Sequence, residues 1–254
     1  MIFPGAETQG QRHAVVRAGP HEELIQLKTS DGTPIVALFG HALATDGTLL
    51  PDARDRPTIL FFYGNGMCLA DCAEEFRKFQ RLGANVMIPD FAGYGMSGGA
   101  PSATGVLQTA DAAYEHLVHR SDIDVSRIFP AGWSLGAASA IHLAATKPVR
   151  GLITLSAFTS LREMAHNLLP YLPTSVLLKH HLENEEKIAD VKCAILMFHG
   201  KRDNIIPFWM SQRLEKAAKA PVTRIAIDEA DHNDIFEVGE DVIYPHIKEF
   251  LNGR

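Results

Sequence analysis

The chain alternates short apolar runs with longer stretches in which apolar residues recur at every third or fourth position. Short runs that are apolar on both faces are typical of strands buried inside a sheet, whereas the longer spacing is typical of helices with one buried face. The runs predict strands at 58–63, 86–89, 127–131, 151–155, 194–198 and 223–227. The longer spacing predicts helices at 72–82, 103–119, 135–146, 209–218 and 240–251.

Two further strands are predicted ahead of this series. Residues 24–28 and 34–39 lie on either side of Ser-Asp-Gly-Thr at 30–33, and an Asp-Gly pair between two such segments is a strong hairpin signal. Strands that alternate with helices form a parallel sheet covered by helices on both faces. We therefore expect an α/β fold, mostly parallel, with an antiparallel hairpin at one edge of the sheet.

The segment 156–191 is long for a connection between two strands of such a sheet. Apolar residues within it follow helical spacing at Leu161, Met164, Ala165, Leu168, Leu169 and Leu172. Ligands of open α/β sheets bind at the carboxyl ends of the strands. We expect 156–191 to be a small helical cap inserted in a single domain, 1–254, where it supplies apolar walls to a pocket; a helix pair packed on the core is the alternative.

Composition and charge limit the function classes. The 254 residues are 46% apolar and 21% charged, and a net charge of -6 without a Lys/Arg-rich run argues against nucleic-acid or anionic-membrane binding. Residues 1–5 lack a basic region followed by an apolar stretch, and the apolar run 59–63 is too short to cross a bilayer. We expect a cytoplasmic protein with no integral membrane association, a small or neutral ligand, and free thiols at Cys68, Cys72 and Cys193.

A glycine-flanked serine lies where one predicted strand meets one predicted helix. Residues 132–136 read Gly-Trp-Ser-Leu-Gly, directly after the strand 127–131. In so sharp a turn the glycines omit Cβ atoms that would collide, and the serine hydroxyl stands clear of the sheet edge. This pattern, the nucleophile elbow, predicts Ser134 as a covalent nucleophile; a serine in an ordinary glycine-flanked turn is the alternative.

A serine nucleophile needs a carboxylate partner further along the chain, which fixes the tautomer of the intervening imidazole. After an elbow of this kind the acid comes next, just past the end of a strand. Asp203 fits, because it follows the strand 194–198 in a polar, glycine-containing loop. Asp190 and Asp228 compete, but the first precedes its strand and the second ends one.

The imidazole itself is expected after the acid. His232 follows the strand 223–227 through a short acidic loop and precedes the last predicted helix. His199 is the best rival because it also ends a strand, but it precedes Asp203, and His246 lies within the last helix. We therefore predict His232 as the base.

Two backbone N–H groups are needed for the oxyanion of a tetrahedral intermediate. One is expected from Leu135, which follows the nucleophile at the positive end of its helix. The other is expected from the loop after the strand 58–63, where residues 63–67 read Tyr-Gly-Asn-Gly-Met. We choose Asn65, with Gly66 as the second choice; a plain Gly-Asn-Gly turn is the alternative.

Two other motifs predict nothing further. Gly-x-Gly-x-x-Gly at 93–98 matches a dinucleotide-binding pattern, but residues 99–102 separate it from the next helix, so we interpret it as a structural loop beside the oxyanion turn. The His and Glu residues of 180–183 lack the spacing of metal ligands, and Cys68 with Cys72 lacks further ligands. We expect no cofactor and no metal.

Together these motifs resemble those of serine hydrolases in the α/β-hydrolase superfamily, most nearly its small ABHD-type branch. The resemblance extends from the hairpin to the last helix and rests on 63–66, 90–99, 132–136, 156–160, 199–203, 206–207 and 231–234. Similar members include carboxylesterases, lipases and depalmitoylating thioesterases, so the resemblance implies cleavage of acyl esters or thioesters. One departure is Tyr63, which stands where the family usually has His before the glycine.

We therefore expect Ser134, His232 and Asp203 to cleave a carboxylic ester or thioester through an acyl-enzyme. An amide or peptide hydrolase of the same fold is one alternative, and it is distinguished by a harder leaving group and a larger cap. A non-catalytic binding protein of this fold is the other, and failure to react with a fluorophosphonate would support it.

Overall fold

An eight-stranded sheet forms the centre of the computed structural model, which describes residues 3–168 and 182–253. The strands are β1 Glu22–Lys28, β2 Pro34–Gly40, β3 Thr58–Phe62, β4 Asn85–Pro89, β5 Ile128–Trp133, β6 Gly151–Leu155, β7 Ala194–Gly200 and β8 Val222–Ile227. Their order in the sheet is β1-β2-β4-β3-β5-β6-β7-β8. β1 pairs antiparallel with β2 and β2 with β4, and the remaining pairs are parallel. The predicted α/β fold with its N-terminal hairpin is therefore confirmed.

Helices connect the strands and pack against the sheet. They are α1 Ala73–Arg81, α2 Ala103–Val118, α3 Leu135–Thr146, α4 Leu161–Leu168, α5 Asn184–Ile188, α6 Trp209–Ala217, α7 Ile235–Val238 and α8 Glu240–Leu251. Every residue of β3, β4 and β6 is buried, as expected of strands that are apolar on both faces. The centre of the sheet is thus a rigid base for the loops at its carboxyl edge.

Close packing of α3 against the sheet depends on small residues. α3 is rich in alanine, and most of its residues are buried against β5, β6 and β3. A Cβ at Gly136 would lie 2.0 Å from the carbonyl oxygen of Phe62, and one at Gly132 would lie 2.2 Å from that of Gly136. Only glycine fits at both positions, so α3 starts immediately after β5.

The segment predicted as a cap is described in part. It contains α4 and α5, which are joined at their N-terminal ends by a β-bridge between Ser160 and Glu183. The predicted helical positions Leu169 and Leu172 lie outside the described residues. The assignment of 156–191 as a cap within a single domain, 1–254, therefore stays a prediction at this point.

Two expectations from composition concern the cysteine thiols and membrane-spanning helices. The thiols of Cys68, Cys72 and Cys193 are all free. Among the helices that the structure describes, none combines the length and the apolar character needed to cross a membrane.

Candidate active site

The three residues predicted as nucleophile, base and acid come together at the carboxyl edge of the sheet. Ser134 follows β5, Asp203 follows β7, and His232 lies between β8 and α7. His232 Nε2 is 3.0 Å from Ser134 Oγ, and His232 Nδ1 is 2.8 Å from Asp203 Oδ2. The imidazole therefore bridges a hydroxyl and a carboxylate, the arrangement in which it can take a proton from the hydroxyl.

The backbone at Ser134 has the strained geometry of an elbow. Its φ and ψ are 54° and −114°, and a positive φ is uncommon for a residue with a side chain. The surrounding structure enforces it: Ser134 N–H donates to the carbonyl oxygen of Leu155 at 3.0 Å, while α3 begins at the next residue. The turn places the Ser134 side chain at the floor of a cavity.

Asp203 is buried and surrounded by donors. Its Oδ1 accepts hydrogen bonds from the N–H groups of Ile205 at 3.0 Å and Ile206 at 2.7 Å. Burial by itself would raise the pKa of Asp203, but hydrogen bonds from His199 and His232, the charge of His232 and the Ile206 N–H together hold that pKa well below its usual range. Asp203 is therefore a carboxylate at neutral pH and can stabilise an imidazolium at His232.

His199 also reaches Asp203, a contact that the sequence did not predict. Its ring is fully buried, and Nε2 lies 2.8 Å from the carbonyl oxygen of Ile206 and 3.4 Å from Asp203 Oδ2. Among the described residues its Nδ1 has no hydrogen-bond partner, so Nε2 carries the proton that the carbonyl oxygen accepts. His199, which the sequence suggested only as a rival base, is a second imidazole in contact with the acid.

The loop predicted to bind an oxyanion lies directly beside Ser134. A Cβ at Gly64 would lie 3.3 Å from the Trp133 ring and 3.5 Å from Ser134 Cβ, so Gly64 permits this close approach. Asn65 is exposed at the tip, and Gly66 has a φ of +93°. Leu135 is the first residue of α3, where N–H groups lack intrahelical partners. Leu135 thus follows the serine directly, and the loop that carries Asn65 approaches it through Gly64.

Tyr63, the residue that departs from the family pattern, is tied to a buried carboxylate. Its hydroxyl donates to Asp90 Oδ1 at 2.9 Å and accepts from the Phe91 N–H at 3.1 Å. Asp90 also accepts from the N–H groups of Leu69 at 2.7 Å and Met96 at 2.8 Å. Tyr63 and Asp90 therefore hold both ends of the loop that carries Asn65.

The charge state of Asp90 is affected by its burial. Removal from water raises the pKa of Asp90 to about 6, against the opposing effect of its three hydrogen-bond donors. Burial, together with the nearby charge of Asp90, also holds the pKa of Tyr63 well above its usual range, so the phenol stays protonated and donates. The pair is a neutral donor facing a carboxylate that ionises at mildly acidic pH.

A cavity of about 580 Å³ opens above Ser134 and His232. Apolar side chains on its walls include Pro4, Met67, Trp133, Phe158, Leu161 and Met164. None of the described residues that line it is Asp, Glu, Lys or Arg. Over these described residues the site is an uncharged, mainly apolar chamber with the Ser134 hydroxyl at its floor, which suits a neutral organic group.

The described parts of the chain contain no group of three or more His, Cys, Asp or Glu residues placed to hold a metal ion. His232 and His199 both use a ring nitrogen to contact Asp203.

Comparison with known proteins identifies the family. The family model for the alpha/beta hydrolase fold matches residues 57–178. WAV2 of Arabidopsis thaliana, an alpha/beta hydrolase domain-containing protein, is 33% identical over 248 residues, which cover 90% of this chain and 78% of the relative. The chain belongs to the α/β-hydrolase family. The uncharacterized protein Rv2307c of Mycobacterium tuberculosis is 34% identical to this α/β-hydrolase over 252 residues, 99% of this chain and 85% of the relative.

A solved structure shows the same fold. The esterase Pf2001 of Pyrococcus furiosus matches this α/β-hydrolase with a TM-score of 0.75 at 18% identity, over 94% of this chain and 96% of the esterase. At that level of identity the likeness is one of fold, and it agrees with the sheet order and hairpin described above.

Proposed function

We propose that this α/β-hydrolase cleaves carboxylic esters or thioesters through an acyl-enzyme on Ser134. The observation that carries the proposal is the continuous hydrogen-bonded path from Ser134 Oγ through His232 to Asp203, at 3.0 Å and 2.8 Å, on the floor of a cavity whose described lining is uncharged. The Pyrococcus furiosus structure of like fold is named an esterase, which supports the same reaction class.

In the proposed first step, Ser134 Oγ forms a bond to the substrate carbonyl carbon while its proton passes to His232 Nε2. His232 then gives that proton to the departing alcohol or thiol as the tetrahedral intermediate collapses to the acyl-enzyme. Asp203 keeps the other ring nitrogen protonated and stabilises the charged imidazolium. A water molecule repeats the sequence and releases the carboxylic acid, with Ser134 restored.

The oxyanion of each tetrahedral intermediate is assigned to the backbone N–H groups of Asn65 and Leu135. The support is that Asn65 follows Gly64, which lies next to Ser134, and that Leu135 adds the positive end of α3. One donor of this kind contributes roughly 2.7–4 kcal/mol of transition-state stabilisation. Gly66 is the second choice for the donor from the loop, because its positive φ is compatible with a turned peptide.

The segment 156–191 is proposed as the cap of this site within one domain, 1–254. Its support is the cavity wall: Phe158, Leu161 and Met164 all line the chamber above Ser134. A helix pair that only packed on the core would leave no reason for these side chains to face the reactive hydroxyl. The cap thus supplies apolar contact for the group on the acyl or the alcohol side of the ester.

Hydrolysis of three matched substrates tests the proposal. Purified enzyme is given p-nitrophenyl butyrate, a butyryl thioester and butyryl p-nitroanilide, and kcat/KM is measured for wild type, Ser134→Ala and, as a control, Ser126→Ala on the exposed surface. We expect turnover of the ester or thioester that is lost in Ser134→Ala and kept in Ser126→Ala. Preference for the anilide would point to an amide hydrolase, and no turnover of any of the three would favour a binding protein.

A further inference from the structure

The first described residues of the chain reach the active-site cavity. Pro4 lies on its wall, and Pro4 Cγ is 3.8 Å from the position that a Cβ on Gly66 would occupy. The neighbouring Phe3 is 4% exposed and packs into the hydrophobic core. The N-terminal segment, defined here as residues 3–10, therefore lies against the oxyanion loop with an apolar ring at the chamber.

Hydrogen bonds fasten this N-terminal segment to the loop that follows β4. Thr8 Oγ1 donates to the carbonyl oxygen of Gly5 at 2.6 Å and accepts from the Gly95 N–H at 2.9 Å. The Gly10 N–H donates to the carbonyl oxygen of Gly95 at 2.9 Å. Contacts at both of its ends and in its middle fix the position of Pro4, so this ring is part of a defined wall.

The N-terminal segment also contacts the oxyanion loop through Tyr94. A Cβ at Gly5 would lie 1.8 Å from a carbon of the Tyr94 ring, so the backbone of the segment rests directly on that ring. The Tyr94 hydroxyl donates to Asn65 Oδ1 at 2.9 Å. The residue proposed to bind the oxyanion is therefore held by a tyrosine that the N-terminal segment covers.

We propose that the N-terminal segment is a wall of the substrate site and that Pro4 is a specificity-determining residue. The inference rests on the proposed ester hydrolysis and adds to it a limit on the size of the substrate. Proline is apolar, rigid and without an N–H donor, so at this position its ring fits an uncharged hydrocarbon part of the substrate and offers that part no hydrogen-bond donor. In an apolar pocket, one methylene group more or fewer on the substrate changes kcat/KM by about 10–200-fold.

Two substrate series, with wild type, Pro4→Ala, Pro4→Trp and Glu7→Trp, test the inference. One series varies the acyl group, from p-nitrophenyl acetate to octanoate, and the other varies the alcohol, from methyl to octyl acetate. The quantity measured is the ratio of kcat/KM for the longest and the shortest member. Glu7 is exposed in the same N-terminal segment, so Glu7→Trp adds the same ring away from the wall.

We expect Pro4→Trp to lower the ratio at least tenfold in one of the two series, because the added ring fills the chamber. Pro4→Ala should raise that same ratio at least threefold, and Glu7→Trp should leave both ratios within twofold of wild type. Pro4→Ala adds no atoms, so it decides the question even where Pro4→Trp does not fold.

Ratios within twofold of wild type for both Pro4 variants, in both series, would overturn the inference while the proposed function stands. Equal shifts in Glu7→Trp and Pro4→Trp would overturn it as well, since the effect would not belong to the wall. A wild type that hydrolyses neither series would instead overturn the proposed function, and the inference with it.

Discussion

Asp203 is held as a carboxylate by more donors than an acid paired with a single histidine would have. Its Oδ1 accepts two backbone N–H groups, while Oδ2 lies between His232 and His199. The two carboxylate oxygens therefore have different roles. Oδ1 fixes the loop, and Oδ2 faces His232 Nδ1, where it selects the tautomer that leaves Nε2 free to accept the proton of Ser134.

Asp203→Asn tests the different roles of the two carboxylate oxygens. The asparagine oxygen can keep the N–H bonds of Ile205 and Ile206, but its NH₂ group then faces His232 Nδ1 and forces the proton onto Nε2. We expect kcat to fall about 10³–10⁴-fold. The matched control is Asp228→Asn, whose side chain is 70% exposed. Retention of more than a tenth of the wild-type kcat in Asp203→Asn would contradict the role proposed for Asp203.

The residues at the candidate site divide into those with a local signal and those without one. Ser134, Asp203 and His232 each stand at a fixed offset from an apolar run, so spacing was enough to predict that they would meet. Their roles stay predictions. Tyr94 and Pro4 have no such signal, because their contacts with Asn65 and Gly66 join parts of the chain that only the folded structure brings together.

At the scale of elements, the loop after β3 is positioned by the loop after β4. Asp90 holds its two ends through Tyr63 and the Leu69 N–H, and Tyr94 holds its tip through the Asn65 side chain. The glycine-rich stretch after β4, interpreted from sequence as a structural loop, does pack there. Its glycines permit tight contacts: a Cβ at Gly95 would lie 2.2 Å from Asp90 Oδ2.

Tyr94→Phe removes one hydrogen bond from this loop and nothing else. A single neutral hydrogen bond contributes about 0.5–1.5 kcal/mol, so we expect kcat to fall roughly 3–10-fold with KM unchanged, because the donor to the oxyanion loses its support. Tyr114→Phe is the matched control, since its hydroxyl donates to the Pro148 carbonyl oxygen at 2.7 Å, away from the cavity. Equal effects of the two variants on kcat would show that Tyr94 has no particular role.

The bounds of the elements were predictable where polarity alone decides them. β6, α3 and α8 begin and end where the sequence indicated. β5 runs on to Trp133 and β7 to Gly200, beyond the apolar runs, because backbone pairing with β6 and β8 continues there regardless of side-chain polarity. The sheet order, with β4 between β2 and β3, likewise depends on strand pairing and cannot be predicted from the hydrophobic pattern.

Across the whole molecule, two buried carboxylates respond to pH with opposite signs. The pKa of Asp203 is lowered in the folded state, so its stabilisation is present above the unfolded value of about 3.9 and is lost as the pH falls. The pKa of Asp90 is raised to about 6, so the folded state binds its proton more tightly than the unfolded chain does. Asp90 therefore lowers the stability as the pH rises from about 4 to above 6.

Urea unfolding of wild type and Asp90→Asn, at about pH 4.5 and about pH 7.5, measures the pH-dependent effect of Asp90 on the free energy of unfolding. Asparagine loses a hydrogen-bond acceptor at every pH, but it does not titrate. We expect the free energy of unfolding of wild type, relative to Asp90→Asn, to be smaller by about 2 kcal/mol at the higher pH. Asp228→Asn also removes one carboxylate, but at an exposed position, so the stability of wild type relative to this variant should not change between the two pH values. A relative stability that grows with pH would mean that the donors around Asp90 outweigh its burial.

The central claim is that Ser134 is a covalent nucleophile activated by His232. Intact-mass spectrometry after incubation with a fluorophosphonate, followed by peptide mapping, tests it most directly. We predict one phosphonyl adduct per chain in the wild type, mapped to Ser134, and no adduct in Ser134→Ala. An adduct on another residue, a Ser134→Ala protein that is still labelled, or a folded wild type that stays unlabelled would contradict the account.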